Sequence, residues 1–204
     1  MEDLQFNIKR SLTDNCSRKL IISQQRLSYE DKDIANDTFT QFDKDSILEY
    51  RYGVIWKRLY LTFGREYQIF IRNKQGEEIK IHFKSYFGSN KKKYREQYIA
   101  ILNGLQLFYF DEITNQLLER FHKDEEIQIG NVTINKEKVI IKQKGLISPK
   151  VIEIAWKDLK TKNYTTNFSI YSALNPTESN IAYRYFEDWN TAVLYSVIRT
   201  IQKH

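Results

Sequence analysis

Apolar and polar residues alternate with period two along several short stretches of the chain, and this pattern predicts strands. Around the turn signal Asn73-Lys74-Gln75-Gly76, Ile69 and Ile71 on one side and Ile79, Ile81 and Phe83 on the other alternate with polar neighbours. The same pattern returns around Asn175-Pro176 with Phe168, Ile170, Ile181, Tyr183 and Tyr185. Turn signals every eight to twelve residues mark an antiparallel meander rather than alternating strands and helices. The period then changes. Trp189, Ala192, Val193, Ser196, Val197 and Ile201 fall on one stripe at helical spacing, with Asp188 as its expected N-cap. Tyr94, Tyr98, Ile101, Leu102, Leu105 and Phe108 begin a second stripe, which continues through Ile113, Leu117 and Phe121. A single helix over residues 92–121 would be about 45 Å long, so its distal part is expected to pack on the other half. Asn103-Gly104 marks a kink there, or Asp111 caps a second helix.

The strand and helix patterns occur twice, which predicts an internal repeat. Residues 20–29, LIISQQRLSY, align with residues 132–141, VTINKEKVII, matching Leu20 to Val132, Ile22 to Ile134, Arg26 to Lys138, Leu27 to Val139 and Tyr29 to Ile141. Each reads as strand, tight turn, strand. A Trp-Lys-x-Leu phrase follows in each half, aligning Trp56 with Trp156, Lys57 with Lys157 and Leu59 with Leu159. The acidic stretch 30–49, with seven acids against two lysines, finds no counterpart and is read as an inserted loop. The expected organisation is a first repeat over 1–126, with that insertion and a long helix, and a second over 127–204.

Composition adds a globular class. Apolar residues make up 41% of the 204 and aromatics 14%, enough for a packed core. Cys16 is the only cysteine, so no internal disulfide forms. No signal-peptide pattern opens the chain and no apolar run approaches membrane-span length, so the expectation is a soluble, cytoplasmic protein. The net charge of +6 fits an acidic partner or a lysine-rich solvated surface.

Candidate chemistry is sparse. His82, His122 and His204 share no ligand spacing with one another or with Cys16, and the seven glycines form no phosphate loop. The carboxylate groups Asp111-Glu112 and Asp124-Glu125-Glu126 fall at helix ends or on a linker, where a solvated face accounts for them. No catalytic residue, metal site or cofactor is assigned, and the expectation is a non-catalytic protein.

The second half resembles the bacterial pleckstrin-homology-like domains, related in shape to the GRAM group, through Ile154-Ala155-Trp156-Lys157-Asp158-Leu159. In that group an Ile-x-Trp-x-Asp-Ile/Leu phrase stands between an opening strand-turn-strand and a closing helix. The first half resembles it less, with Arg58 in place of the aspartate; the resemblance spans residues 18–204 as two tandem copies. It implies an α+β, mainly β fold: two tandem barrels, each an antiparallel strand meander closed by a C-terminal amphipathic helix. Trp156 then packs an edge of its barrel, and Trp189 plugs an end.

The resemblance implies a binding or scaffold role, with a protein or peptide partner ranked first, docking beside the helix or as an added strand. Anionic lipid headgroups come second, through the weak candidates Lys138, Lys142 and Lys144 together with Lys136. Lys138, Lys142 and Lys144 share strand parity. Nucleic acid ranks last, resting on residues 90–98, NKKKYREQY, and stacking by Tyr94 and Tyr98.

Overall fold

The computed structural model describes residues 2–11, 13–30, 39–88, 90–143 and 149–203. The chain divides into two compact units, residues 1–111 and 112–204. Each is mainly β, with antiparallel strands and a helix after them.

In the first unit, β1 (Leu4–Ile8), β2 (Arg18–Ile22), β3 (Arg26–Tyr29) and β4 (Thr40–Asp43) form a four-stranded sheet in that order. A 3-10 turn (Lys44–Ser46) leads to β5 (Ile47–Arg58), β6 (Thr62–Asn73) and β7 (Glu78–Tyr86), a separate three-stranded sheet. Helix α1 (Lys91–Leu105) and a π-helical segment (Gln106–Phe110) end the first unit, and α2 (Asp111–His122) carries the chain into the second. The second unit has β8 (Ile127–Ile129), β9 (Val132–Ile134), β10 (Lys138–Gln143) and β11 (Lys150–Ala155) in one sheet. Past the 3-10 turn Trp156–Asp158, β12 (Leu159–Asn163), β13 (Asn167–Ser172) and β14 (Ile181–Arg184) form another, and α3 (Thr191–Ile201) ends the series. The described strands make four open sheets; no closed barrel is formed.

Alternation sets the core. Tyr67, Ile69 and Ile71 of β6 and Ile79, Ile81 and Phe83 of β7 point inward and are buried. Helix α1 lays Tyr94, Tyr98, Ile101 and Leu105 into the same core, with the Tyr94 ring 5.4 Å from Phe83 and the Tyr98 ring 5.2 Å from Tyr67. In the second unit Val139, Ile141, Phe168 and Ile170 of the sheets and Val193, Leu194, Val197 and Ile198 of α3 are buried, and the Phe168 ring lies 5.3 Å from Tyr195 of α3.

Several helix expectations are corrected. Asp188 does not cap α3: its carboxylate accepts from the Arg184 amide at 2.8 Å, and the cap is Asn190, with φ of 56°. Ser196 is exposed, while Leu194 and Ile198 join the buried stripe. Gly104 is no kink. A Cβ there would lie 2.8 Å from Leu4 Cδ1, so its lack of a side chain lets α1 approach the first sheet. The irregularity comes one step later, where the π-helical segment buries Phe108, Tyr109 and Phe110 in succession. Asp111 lies inside the continuous helical run with ordinary right-handed geometry. Residues 112–122 belong to the second unit, in which Phe121 meets Trp156 edge-on at 6.2 Å.

The repeat is visible in the main chain. The Ser23 amide donates to the Arg26 carbonyl at 3.1 Å, and Asn135 to Lys138 at 3.1 Å. Lys44 donates to Gln25, as Trp156 does to Glu137; Lys74 donates to Ser46, as Ala173 does to Asp158. Both α1 and α3 begin after a left-handed asparagine, Asn90 and Asn190, whose carbonyls accept from Tyr94 and Leu194.

Matching these bonds changes the alignment. Through the 3-10 turns the offset between units is constant: Ser23 to Asn135, Lys44 to Trp156 and Ser46 to Asp158 are equally spaced. Lys44 is therefore the counterpart of Trp156, and Trp56 is not. Trp56 lies in β5 opposite Arg65, whose guanidinium sits 4.0 Å from its ring centroid. Trp156 lies in a turn and donates from Nε1 to the Asn135 carbonyl at 2.8 Å. The constant spacing also means that residues 30–49 are no insertion, since 40–49 supply β4, the turn and the start of β5; residues 31–38 lie outside the described residues. The added length is in the β5–β6 hairpin: Ser46 to Lys74 spans 28 positions, whereas Asp158 to Ala173 spans 15.

Candidate functional site

Strand β10 carries the lysines singled out by sequence. Val139 and Ile141 turn inward, so Lys138, Ile140 and Lys142 occupy the other face. Lys138 is compensated: its Nζ lies 2.7 Å from Glu153 Oε2, and that hydrogen bond holds the ammonium above its ordinary pKa. Lys136, in the β9–β10 turn, is 3.3 Å from Asp124 and 4.5 Å from the centre of the Phe121 ring. Lys142 is exposed and has no acidic partner among the described residues; Lys144 lies outside them. The shared parity of Lys138 and Lys142 thus gives one paired and one unpaired cation, a weak basis for holding a multiply charged headgroup. Arg26, the counterpart of Lys138, is likewise held across strands, by Asp43 at 2.9 Å and by Gln41, the counterpart of Glu153, at 3.1 Å, as expected of sheet-stabilising contacts.

Tyr94 and Tyr98, candidates for base stacking, are 5% and 7% exposed and packed beneath α1. Their faces are spent on core contacts.

The first unit has a denser polar cluster, which sequence reasoning missed. On the outer face of β6, Glu66 and Gln68 are both buried. Lys57 reaches Glu66 from β5 at 3.2 Å and Lys84 from β7 at 3.8 Å, while the Gln68 amide donates to it. Burial pushes the Glu66 carboxyl up, but the hydrogen bonds from Lys57 and Gln68 and the charge of Lys84 outweigh it and hold the pKa below the ordinary value. Farther along, Arg72 bridges Glu49 at 3.1 Å and Glu78 at 2.7 Å. Only strand pairing brings these groups together.

Depression of the folded-state pKa means that Glu66 contributes stability above its unfolded pKa and loses it as pH falls through the folded value. Glu66→Gln is expected to flatten the acid limb of the stability curve below about pH 4.5. Urea midpoints of the two proteins from pH 7 down to 3 test this; parallel curves would remove Glu66 as a source of the acid dependence.

Beside this cluster, Arg10, Gly76, Glu78, Lys80 and His82 line an open cleft of about 570 Å³. Burial, followed by the Arg10 charge, holds the His82 imidazole below its ordinary pKa. Among the described residues no group of three His, Cys, Asp or Glu side chains is arranged for a metal ion, and no helix is long and apolar enough to cross a membrane.

The chain matches no protein-family model, no curated protein and no solved structure.

Proposed function

We propose that the chain is a non-catalytic binding module of the pleckstrin-homology-like type, and that its partner is an extended protein or peptide segment added as a strand to β12. The observation that carries this reading is the repeated series of four-stranded sheet, 3-10 turn, three-stranded sheet and helix, with matching main-chain bonds in both units. That order supports the resemblance seen around Trp156. The headgroup reading is weakened by the carboxylates that neutralise Lys136 and Lys138.

Strand β12 is an edge of its sheet. Ser172 turns its amide away from β12, donating to Ser179 Oγ at 2.8 Å, so its partner Leu159 faces the open side. The Leu159 carbonyl indeed accepts from Gln202, just past α3, at 2.9 Å. Two and four residues on, Thr161 and Asn163 turn their backbone groups to the same open side. Exposed edge amides and carbonyls of this kind pair with an incoming strand.

Thr161→Pro removes an outward amide without removing a ladder bond, a substitution that edge strands tolerate. Peptides selected from a displayed library on the intact chain are expected to protect β12 amides from hydrogen exchange. Their affinity should fall about tenfold with Thr161→Pro, the effect of one charge-free hydrogen bond and a local steric block. Protection elsewhere, or affinity untouched by the proline, would overturn the β12 assignment.

A further inference from the structure

The extra length of the β5–β6 hairpin ends in an apolar tip. Leu59, Tyr60 and Leu61 are 82%, 98% and 82% exposed, and the Leu59 amide donates to the Leu61 carbonyl at 3.2 Å across the turn. A hairpin tip is ordinarily built from Gly, Asn or Asp. Here none of these occurs between Lys57 and Phe63. Trp56 is also exposed on the stem, and Phe87, 87% exposed, is held beside the tip by its backbone N–H, which donates to the Phe63 carbonyl at 2.7 Å. The second unit completes the same two sheets without this extension, so the fold does not require it.

The surroundings are basic. Arg58 and Arg65 flank the tip, Lys57 beside them being paired with Glu66 at 3.2 Å, and the segment after Phe87 carries Lys91, Lys92 and Lys93, all exposed, at the start of α1. An apolar and aromatic tip above a cationic collar matches the layers of an anionic bilayer: apolar side chains enter the acyl boundary, aromatic rings sit at headgroup level and cations meet the lipid phosphates. Shape favours the same occupant. Leu59, Tyr60 and Leu61 are each more than four-fifths exposed, so the tip stands clear of its own sheet. A bilayer surrounds a protruding tip on every side.

We infer that the β5–β6 hairpin tip of the first unit, Leu59-Tyr60-Leu61 with Trp56 and Phe87, inserts into the surface of an anionic membrane, with the neighbouring lysines and arginines on its headgroups. This inference is independent of the peptide reading, because the tip lies in the first unit and β12 in the second.

The test is co-sedimentation of the full chain at near-physiological salt with phosphatidylcholine vesicles, with and without phosphatidylglycerol. Binding is expected only when the anionic lipid is present. The variant Leu59→Ser/Tyr60→Ser/Leu61→Ser should weaken it on the order of 100-fold, the loss of three partly inserted apolar side chains. Lys91→Glu/Lys93→Glu should weaken it roughly tenfold or more, whereas Lys138→Glu/Lys142→Glu should leave it unchanged. Leu59, Tyr60, Leu61, Lys91, Lys93 and Lys142 are exposed and Lys138 is half-buried, and unchanged circular dichroism will establish that each variant is folded. The fluorescence that Tyr60→Trp adds to the parent emission should be quenched by brominated acyl chains. Failure to sediment, equal binding by the triple-serine protein, or added fluorescence that the brominated chains leave unquenched would overturn the inference. So would a concentration-dependent dimer abolished by the serines without vesicle binding, which would make the tip a contact between copies.

Discussion

Phe83→Ala is expected to destabilise the first unit by about 3–5 kcal/mol, the range for removing a fully buried aromatic ring. Phe83 is 0% exposed and stands where β7 meets α1, with its ring centroid 5.3 Å from Tyr67, 5.4 Å from Tyr94 and 6.4 Å from Tyr98. These neighbours come from another strand and from two turns of a helix, so the hole left by the ring cannot be closed by moving one element. Phe83→Leu keeps most of the volume and should cost less. Urea unfolding followed by amide exchange within residues 1–111 measures both. A loss below about 1 kcal/mol for the alanine would mean that α1 does not seal this sheet.

The second large effect is expected from Val197→Asp in α3. Val197 is 0% exposed and has Val193, Leu194 and Ile198 as buried helix neighbours. A carboxylate placed there is an uncompensated buried charge, costing about 3–5 kcal/mol. Burial raises the folded-state pKa of the new acid, so the folded protein binds the proton more tightly than the unfolded chain. The deficit should therefore shrink as pH falls through the acid's raised folded-state pKa toward its unfolded value. Ser196→Asp, one residue away on the exposed side, should change stability by no more than about 0.5 kcal/mol. Thermal unfolding at pH 7 and pH 5 distinguishes the two positions. Equal effects would contradict the assigned helix face.

Strong periodicity made β6, β7, β13 and α3 legible, because each has enough residues for inward and outward faces to separate, and the short β14 was legible through the turn signal Asn175-Pro176 that couples it to β13. Strands β1 and β8 were not. The Leu4, Phe6 and Ile8 alternation of β1 is five residues long, and β8 is three, both too short to stand out without their partners. Tryptophan misled for a different reason. The words around Trp56 and Trp156 are similar, but one ring belongs to a long strand and the other to a turn, and only the main-chain bonds identify Lys44 as the true counterpart. The π-helical segment escaped because three consecutive buried aromatics fit no helical stripe. For the lysines, parity was readable on β10, but the carboxylates that neutralise Lys136 and Lys138 come from Asp124 and Glu153, which only tertiary pairing brings near. The hairpin tip did leave a signal, a run of apolar residues where a turn should be polar.

The lone Cys16, exposed between β1 and β2 with its amide held by Asp14 Oδ1 at 3.1 Å, supplies the natural protein with a unique attachment point. A thiol-reactive dye or spin label will mark the first unit alone, at one defined place and with no substitution, so its position relative to a surface can be followed by spectroscopy in the unaltered sequence.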